Sequence, residues 1–170
     1  TLVDMERHSF VGLSNYLAYE NGRWYGVLTD RQWLASLRNT LIFAIASVTL
    51  ETILGVLIAL LLSASFPGRG MLRAAMLVPW AIPTVVSAQM WGWMLNDQFG
   101  VVNDMLMKLG LISAPVAWLA DPTLSLISVI LVDVWKTTPF VALLALAALQ
   151  MVPKDVYEAA RVDGIHPVRV

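Results

Sequence analysis

The sequence predicts an all-α fold, a polytopic bundle of transmembrane helices. Three observations carry this. Hydrophobic residues make up 58% of the 170 positions, above the ~45–50% of an ordinary soluble domain. Charged residues make up only 14%. Three apolar runs, 41–62, 71–95 and 124–150, each reach the ~20 residues that a bilayer crossing requires. A soluble chain burying three such helices would need far more polar cover.

Residues 1–40 form the first segment, with charges of both signs: Asp4, Glu6, Arg7, Glu20, Arg23, Asp30, Arg31 and Arg38. Asn21-Gly22 is a turn signal, and residues 29–37 have the composition of a short interfacial helix. The run 41–62 carries one charge, Glu51. At 1.5 Å per residue it gives roughly 33 Å of helix against a ~30 Å hydrocarbon core. The turn 63–70, with Pro67, Gly68, Arg69 and Gly70, precedes the run 71–95. Pro79 and Pro83 each remove a helical hydrogen bond there, so this span is expected to be bent or partly unwound. The loop 96–123 holds Asp97, Asp104 and Asp121 against one lysine. The run 124–150 is interrupted only by Asp133 and Lys136, and 151–170 is a polar tail.

Charge sets the orientation. Arg69 and Arg73 mark the first turn, and Lys154, Arg161 and Arg169 mark the tail. Positive charge belongs on the cytoplasmic side. The turn 63–70 and the tail 151–170 are therefore assigned to the cytoplasm, and 1–40 and 96–123 to the outside. Trp24, Trp33, Trp91, Trp93 and Trp118 lie near span ends or in the outer loop, as an aromatic belt does. The chain is read as part of a longer polypeptide.

Several classes are disfavoured. The net charge of −1 argues against nucleic acid as a partner. The absence of cysteine rules out disulfides and thiolate metal sites. With two histidines, His8 and His166, no metal-ligand cluster is expected. No Gly-rich Lys-Ser/Thr loop is present, so ATP is not expected to bind this chain.

The polar groups inside the spans are the candidate functional residues. An ionised carboxylate at mid-membrane costs roughly 2.5–3.5 kcal/mol on insertion scales. Glu51 is therefore either a hydrogen-bond anchor between helices or a participant in transport. Asp133 and Lys136, three apart, share a helix face. Thr137, Thr138 and Pro139 follow, and Pro139 cannot donate to the Trp135 carbonyl. Charged groups, hydroxyls, a free carbonyl, Trp135 and Phe140 thus gather at one expected kink. The mixture suits a polyol in a hydrophilic path; the alternative is an internal Asp–Lys ion pair that holds the bundle together.

Beyond the third run, Pro153 suits a helix start, Asp155 and Glu158 complement its dipole, and Gly164 suits its end. This helix, over 154–163, presents Val156, Ala159 and Ala160 on one side. It is too short and too poor in large apolar groups to anchor in lipid, which favours a docking surface for a protein.

Glu158-Ala159-Ala160, followed three residues later by Gly164, resembles the EAA loop of importer-type ABC permeases. Further stretches resemble the carbohydrate branch of that family, the maltose type: Phe10-Val11-Gly12-Leu13-Ser14-Asn15-Tyr16, Asn39-Thr40, Pro79-Trp80-Ala81-Ile82-Pro83, Asp133-Val134-Trp135-Lys136-Thr137-Thr138-Pro139-Phe140 and Leu149-Gln150-Met151-Val152-Pro153. The resemblance implies six core spans, of which this chain holds three, and a truncated coupling loop. It implies a second permease subunit, two cytoplasmic ATP-binding subunits that use the ATP, and an extracytoplasmic sugar-binding protein. The membrane would be a bacterial or archaeal inner membrane, crossed several times. Glu158, Ala159, Ala160, Asp163 and Gly164 would meet the ATPase. Asp133, Val134, Lys136, Thr137 and Phe140, with Trp135 among them, would border the sugar path. These positions depart from maltose-type chemistry, so the resemblance leaves the sugar open; the Trp-Lys-Thr-Thr-Pro-Phe version resembles permeases for trehalose and related disaccharides. An ion-coupled secondary carrier, with Glu51 and Asp133 carrying protons, and a polytopic membrane enzyme are the competing readings.

Overall fold

A computed structural model describes residues 3–4, 9–10, 12–153, 155–156, 159 and 162–164. The chain divides into two compact units, residues 1–45 and 46–170.

The first unit opens with two small antiparallel hairpins. β1 (Val3–Asp4) pairs with β2 (Ser9–Phe10), and β3 (Ala18–Glu20) pairs with β4 (Arg23–Tyr25). The second hairpin turns on Asn21 and Gly22, with φ of 50° and 77°. Both lie in the left-handed region that a tight two-residue hairpin requires. A helical turn at Val27–Thr29 follows. Asp30 then caps α1 (Arg31–Ser63), its carboxylate accepting from the Gln32 amide at 2.7 Å, a frequent way to satisfy a free N-terminal N–H. The helix therefore starts ten residues ahead of the apolar run at 41. No glycine or proline stands between 31 and 54 to divide it.

In the second unit α1 continues to Ser63, and Gly68, at φ 86°, makes the turn into α2 (Arg69–Met76). Arg73 donates to the Leu62 carbonyl at 3.2 Å and Arg69 to the Ala64 carbonyl at 3.4 Å. The arginines of this turn thus cover carbonyls at the end of α1, where positive charge also suits the helix dipole. α3 (Val78–Ala81) and α4 (Thr84–Met94) follow. Residues Arg69–Ala81 and Thr84–Met94 meet at 87°. The bend falls where Pro83 interrupts the hydrogen-bond ladder.

The loop 96–123, where no helix was expected, holds α5 (Val101–Lys108). Asp121 caps α6 (Pro122–Gln150), accepting from Thr123 and Leu124 at 2.9 Å each. α6 runs through Pro139 as one helix. α1 and α6 are each long and apolar enough to cross a membrane, and the bent α2–α4 stretch makes up to three spans if it counts as one.

α1 meets α6 along a stripe of mostly small residues. Ser47, Gly55, Ala59 and Leu62 are buried on α1, and Val134, Thr138, Ala142 and Leu146 on α6. Ala59, Leu62 and Leu146 form a tight cluster, joined by Ile58, Met76, Ala145 and Leu149. Lipid is as apolar as leucine, so association here relies on close van der Waals packing, which small residues permit.

Candidate functional site

The polar groups of α6 diverge to different partners. Thr137 faces α1. Its hydroxyl lies between the backbone oxygen of Asp133, 2.7 Å away, and the carboxyl of Glu51, with which it is hydrogen-bonded. Glu51 thus joins α1 to α6 within the shared stripe, as the anchor reading requires. The Asp133 side chain is half-buried and also neighbours Glu51.

Lys136 faces the other way. Its ammonium donates to the Ile82 carbonyl at 2.6 Å, with the Pro79 carbonyl at 3.5 Å and the Ser87 hydroxyl at 3.4 Å. It does not pair with Asp133. Among the described residues the ion pair is Lys108 with Asp104 in α5, at 2.7 Å and well exposed. The internal Asp–Lys bridge is therefore replaced by a lysine that satisfies backbone carbonyls. Carbonyls left without a helical partner inside a membrane compete strongly for a cation.

The aromatic residues form two contacts. Phe140, 43% exposed, stacks on Trp80 of α3 with ring centres 5.5 Å apart and planes within 8°. Trp135 meets Trp91 of α4 edge-on at 5.3 Å. Val134 is buried at 6% exposure. Thr138 is buried too, and its hydroxyl has no partner among the described residues. Of the six residues expected along a path, five present polar or aromatic groups between helices, and Val134 packs inside.

Trp80, Ser87 and Gly55 were not singled out from sequence. Trp80 lay in a motif noted for its prolines, and its ring partner is 60 residues on. Gly55 and Ala59 form a small-x-x-x-small pair, a signal that was there to read. Asn103 carried no signal. It is 3% exposed and organises the loop 96–123: its carboxamide exchanges bonds with the Val116 backbone at 3.0 and 3.1 Å and accepts from the Trp118 indole at 2.9 Å. Ser128 then ties the Trp118 carbonyl to α6 at 3.4 Å.

Of the expected coupling residues, Glu158 and Ala160 lie outside the described residues. Ala159, Asp163 and Gly164 are exposed. The Asp163 amide donates to the Ala159 carbonyl at 2.9 Å. Gly164 has φ 71°, the left-handed conformation with which many helices end.

A family model described as the binding-protein-dependent transport system inner membrane component matches residues 32–170. The trehalose/maltose transport system permease protein MalF of Thermococcus litoralis is 47% identical over 155 residues, 91% of this chain and 49% of that protein. The trehalose transport system permease protein SugA of Mycobacterium tuberculosis is 38% identical over 156 residues, 92% of this chain and 46% of that protein. Among solved structures, a bacterial ABC transporter involved in the import of the acidic polysaccharide alginate superposes with a TM-score of 0.73 at 26% identity, covering 85% of this chain and 52% of that one. The chain spans about half the length of the curated relatives it matches. With the match running from the start of α1 through the polar face of α6 to the Gly164 turn, the chain belongs to the binding-protein-dependent transport system inner membrane component family.

Proposed function

We propose that this chain is the membrane-embedded part of a permease subunit in an ATP-driven sugar importer, with a di- or oligosaccharide as cargo. The observation that carries the reading is the family match over 32–170, which takes in both the polar face of α6 and the helix that ends at Gly164. The relatives named for trehalose and maltose transport supply the substrate class.

In this reading Asp133, Trp135, Lys136, Thr137 and Phe140, with Val134 behind them, wall the path. Carboxyl and hydroxyl groups exchange hydrogen bonds with sugar hydroxyls. The stacked rings of Trp80 and Phe140 offer an apolar face to sugar C–H surfaces. The turn 63–70 and the segment 151–170 face the cytoplasm, and the loop 96–123 faces outward, consistent with the charge distribution. Glu158, Ala159, Ala160, Asp163 and Gly164 meet a cytoplasmic ATPase present in two copies, which uses the ATP. A second permease subunit and an extracytoplasmic sugar-binding protein complete the assembly in a bacterial or archaeal inner membrane. A second structure, a bacterial alginate ABC transporter in complex with an alginate pentasaccharide-bound periplasmic protein, supports the binding-protein partner.

The test is the full-length permease reconstituted with its partners. Trehalose or maltose, added with the binding protein, should raise ATP hydrolysis, and Glu158→Lys should release the ATPase during purification. Uptake that collapses with the proton gradient while ATP stays high would instead establish an ion-coupled carrier.

A further inference from the structure

The break between α3 and α4 strips two carbonyls of helical partners. In an unbroken helix the Pro79 carbonyl would accept from residue 83, but Pro83 has no N–H. The Ile82 carbonyl loses its partner because the backbone turns extended there, at φ −68° and ψ 132°. No water reaches such groups inside a bilayer, so something in the protein must satisfy them. Lys136 Nζ lies 2.6 Å from the Ile82 oxygen and 3.5 Å from the Pro79 oxygen. Its third neighbour, 3.4 Å away, is the hydroxyl of Ser87, which is 2% exposed on the far side of the break. An ammonium has three donors, and these three acceptors fill them: two before the elbow and one after it.

We infer that Lys136 is a positioning residue that sets the angle of the α3–α4 elbow and makes no contact with sugar. The neighbouring Thr137 is bonded to Glu51 of α1, so two consecutive α6 side chains hold two different helices. The elbow also carries Trp80, the ring stacked on Phe140. Lys136 thus stands in the wall of the path with its ammonium turned to the elbow, and releasing it shifts one aromatic face of the path without removing any group that touches sugar. The functional consequence rests on the transport reading, whereas the elbow itself does not.

The two roles give different signatures. A residue that acts through the elbow lowers the fraction of protein competent to bind, and so raises the apparent Kd of every sugar by one common factor. A residue that touches the sugar changes the order of preference among sugars.

The experiment uses the full-length permease, assembled with its partners in lipid nanodiscs. Spin labels are placed at Met71→Cys and Gln89→Cys, exposed positions on either side of the break, in a permease whose cysteines outside this cysteine-free stretch are replaced by serine. Distances are measured by pulsed electron resonance without sugar. Lys136→Met should shift and broaden the distribution, and Lys136→Arg should restore it. The apparent Kd for trehalose, maltose and sucrose should rise by a common factor of about tenfold, the scale of losing one hydrogen bond to a charged group, with their order unchanged. If Lys136→Met does not assemble, Lys136→Gln, with a single amide donor group, is judged by the same distance criterion. An unchanged label distance with lost or reordered sugar affinity would make Lys136 a direct ligand and overturn the inference. An elbow shift in a transporter that answers to no sugar would uphold the elbow role and refute the transport reading.

Discussion

Replacing Gly55 by alanine places a methyl group where α1 and α6 leave no room for one. An added Cβ would stand 2.7 Å from Val141 Cγ1, 3.1 Å from Val141 Cβ and 3.2 Å from the Ala142 amide nitrogen. Carbon atoms rest at ~3.5–4.0 Å, so the deficit is roughly 1 Å. Valine in a helix is nearly confined to one rotamer and cannot swing aside; the amide nitrogen is backbone. The helices must therefore part. Overpacking of this kind costs about 1–3 kcal/mol, while alanine in place of a helical glycine returns about 1 kcal/mol. The net loss should be about 1 kcal/mol, roughly a fivefold fall in the folded-to-unfolded ratio. The sharper test is a double-mutant cycle with Val141→Ala, read by reversible unfolding of the purified permease in mixed micelles. Removing Cγ1 relieves the worst clash, so the pair should be less destabilised than the sum of the singles by about 1 kcal/mol. Glu51 stands one turn before Gly55 on the same face, so Gly55→Ala should also weaken its bond to Thr137 and lower transport. Additive effects, or stabilisation by Gly55→Ala alone, would refute the close α1–α6 contact.

Other sites give separate tests. Asn103→Ala should leave the Val116 backbone and the Trp118 indole without their partner and destabilise the loop 96–123 by roughly 1–3 kcal/mol, seen as faster amide exchange at Val116. Asn103→Asp keeps both bonds accepted by Oδ1 but sets a carboxylate oxygen against the Val116 carbonyl, so it should also destabilise the loop, and less so at acid pH, where the protonated carboxyl can donate. Asp133→Ala should impair sugar uptake while the complex still assembles, because the Thr137–Glu51 bond does not use that side chain; normal uptake by a well-expressed variant would make Asp133 merely structural. Gly164→Ala meets no neighbour within 4 Å among the described residues, so its cost is taken as conformational, about 1 kcal/mol. It should partly weaken ATPase co-purification, whereas Gly164→Pro, whose φ is fixed near −65°, should abolish it.

The parts of this structure written in local chemistry were legible in the sequence. The apolar runs, the Asn21-Gly22 turn and the bend at the prolines each depend on residues adjacent in the chain. Boundaries were less so. The run from 41 marks where apolar residues begin, but α1 starts at Arg31, because hydrogen bonding continues through Arg38 and Asn39 without a breaker. Hydropathy reports the solvent around a helix and does not report where the helix begins. Partnerships were least legible. Asp133 and Lys136 are close in sequence and on one face, which made an ion pair natural to expect. The acceptors that Lys136 finds are 49 to 57 residues away, and the Glu51–Thr137 bond joins residues 86 apart. That these groups needed partners followed from the membrane alone. Which partners they took depended on an elbow whose bend could be anticipated but not its direction.

The arrangement along α6 has a consequence for coupling. Between Asp133 and Phe140 this one helix touches Glu51 of α1 through Thr137, the α3–α4 elbow through Lys136, Trp91 through Trp135 and Trp80 through Phe140. Two turns on, Ala142 and Leu146 are buried, and Leu146 packs on the end of α1 with Ala59 and Leu62. Arg73 closes that end by binding the Leu62 carbonyl. α6 then leads through Gln150 to Pro153 and the turn that Gly164 closes. A helix fixed at both levels transmits a displacement of its C-terminal end as a rigid rod, because the packed contact with α1 cannot deform continuously. Motion applied near Gly164 must therefore either carry α1 with α6 or slide the small-residue stripe as a whole. The first course preserves the Glu51–Thr137 bond and changes the elbow; the second breaks the bond and preserves the elbow. A disulfide between Ala59→Cys and Leu146→Cys, which pack in one cluster, selects the first if it forms and leaves transport intact; if it forms and stops transport, the stripe slides.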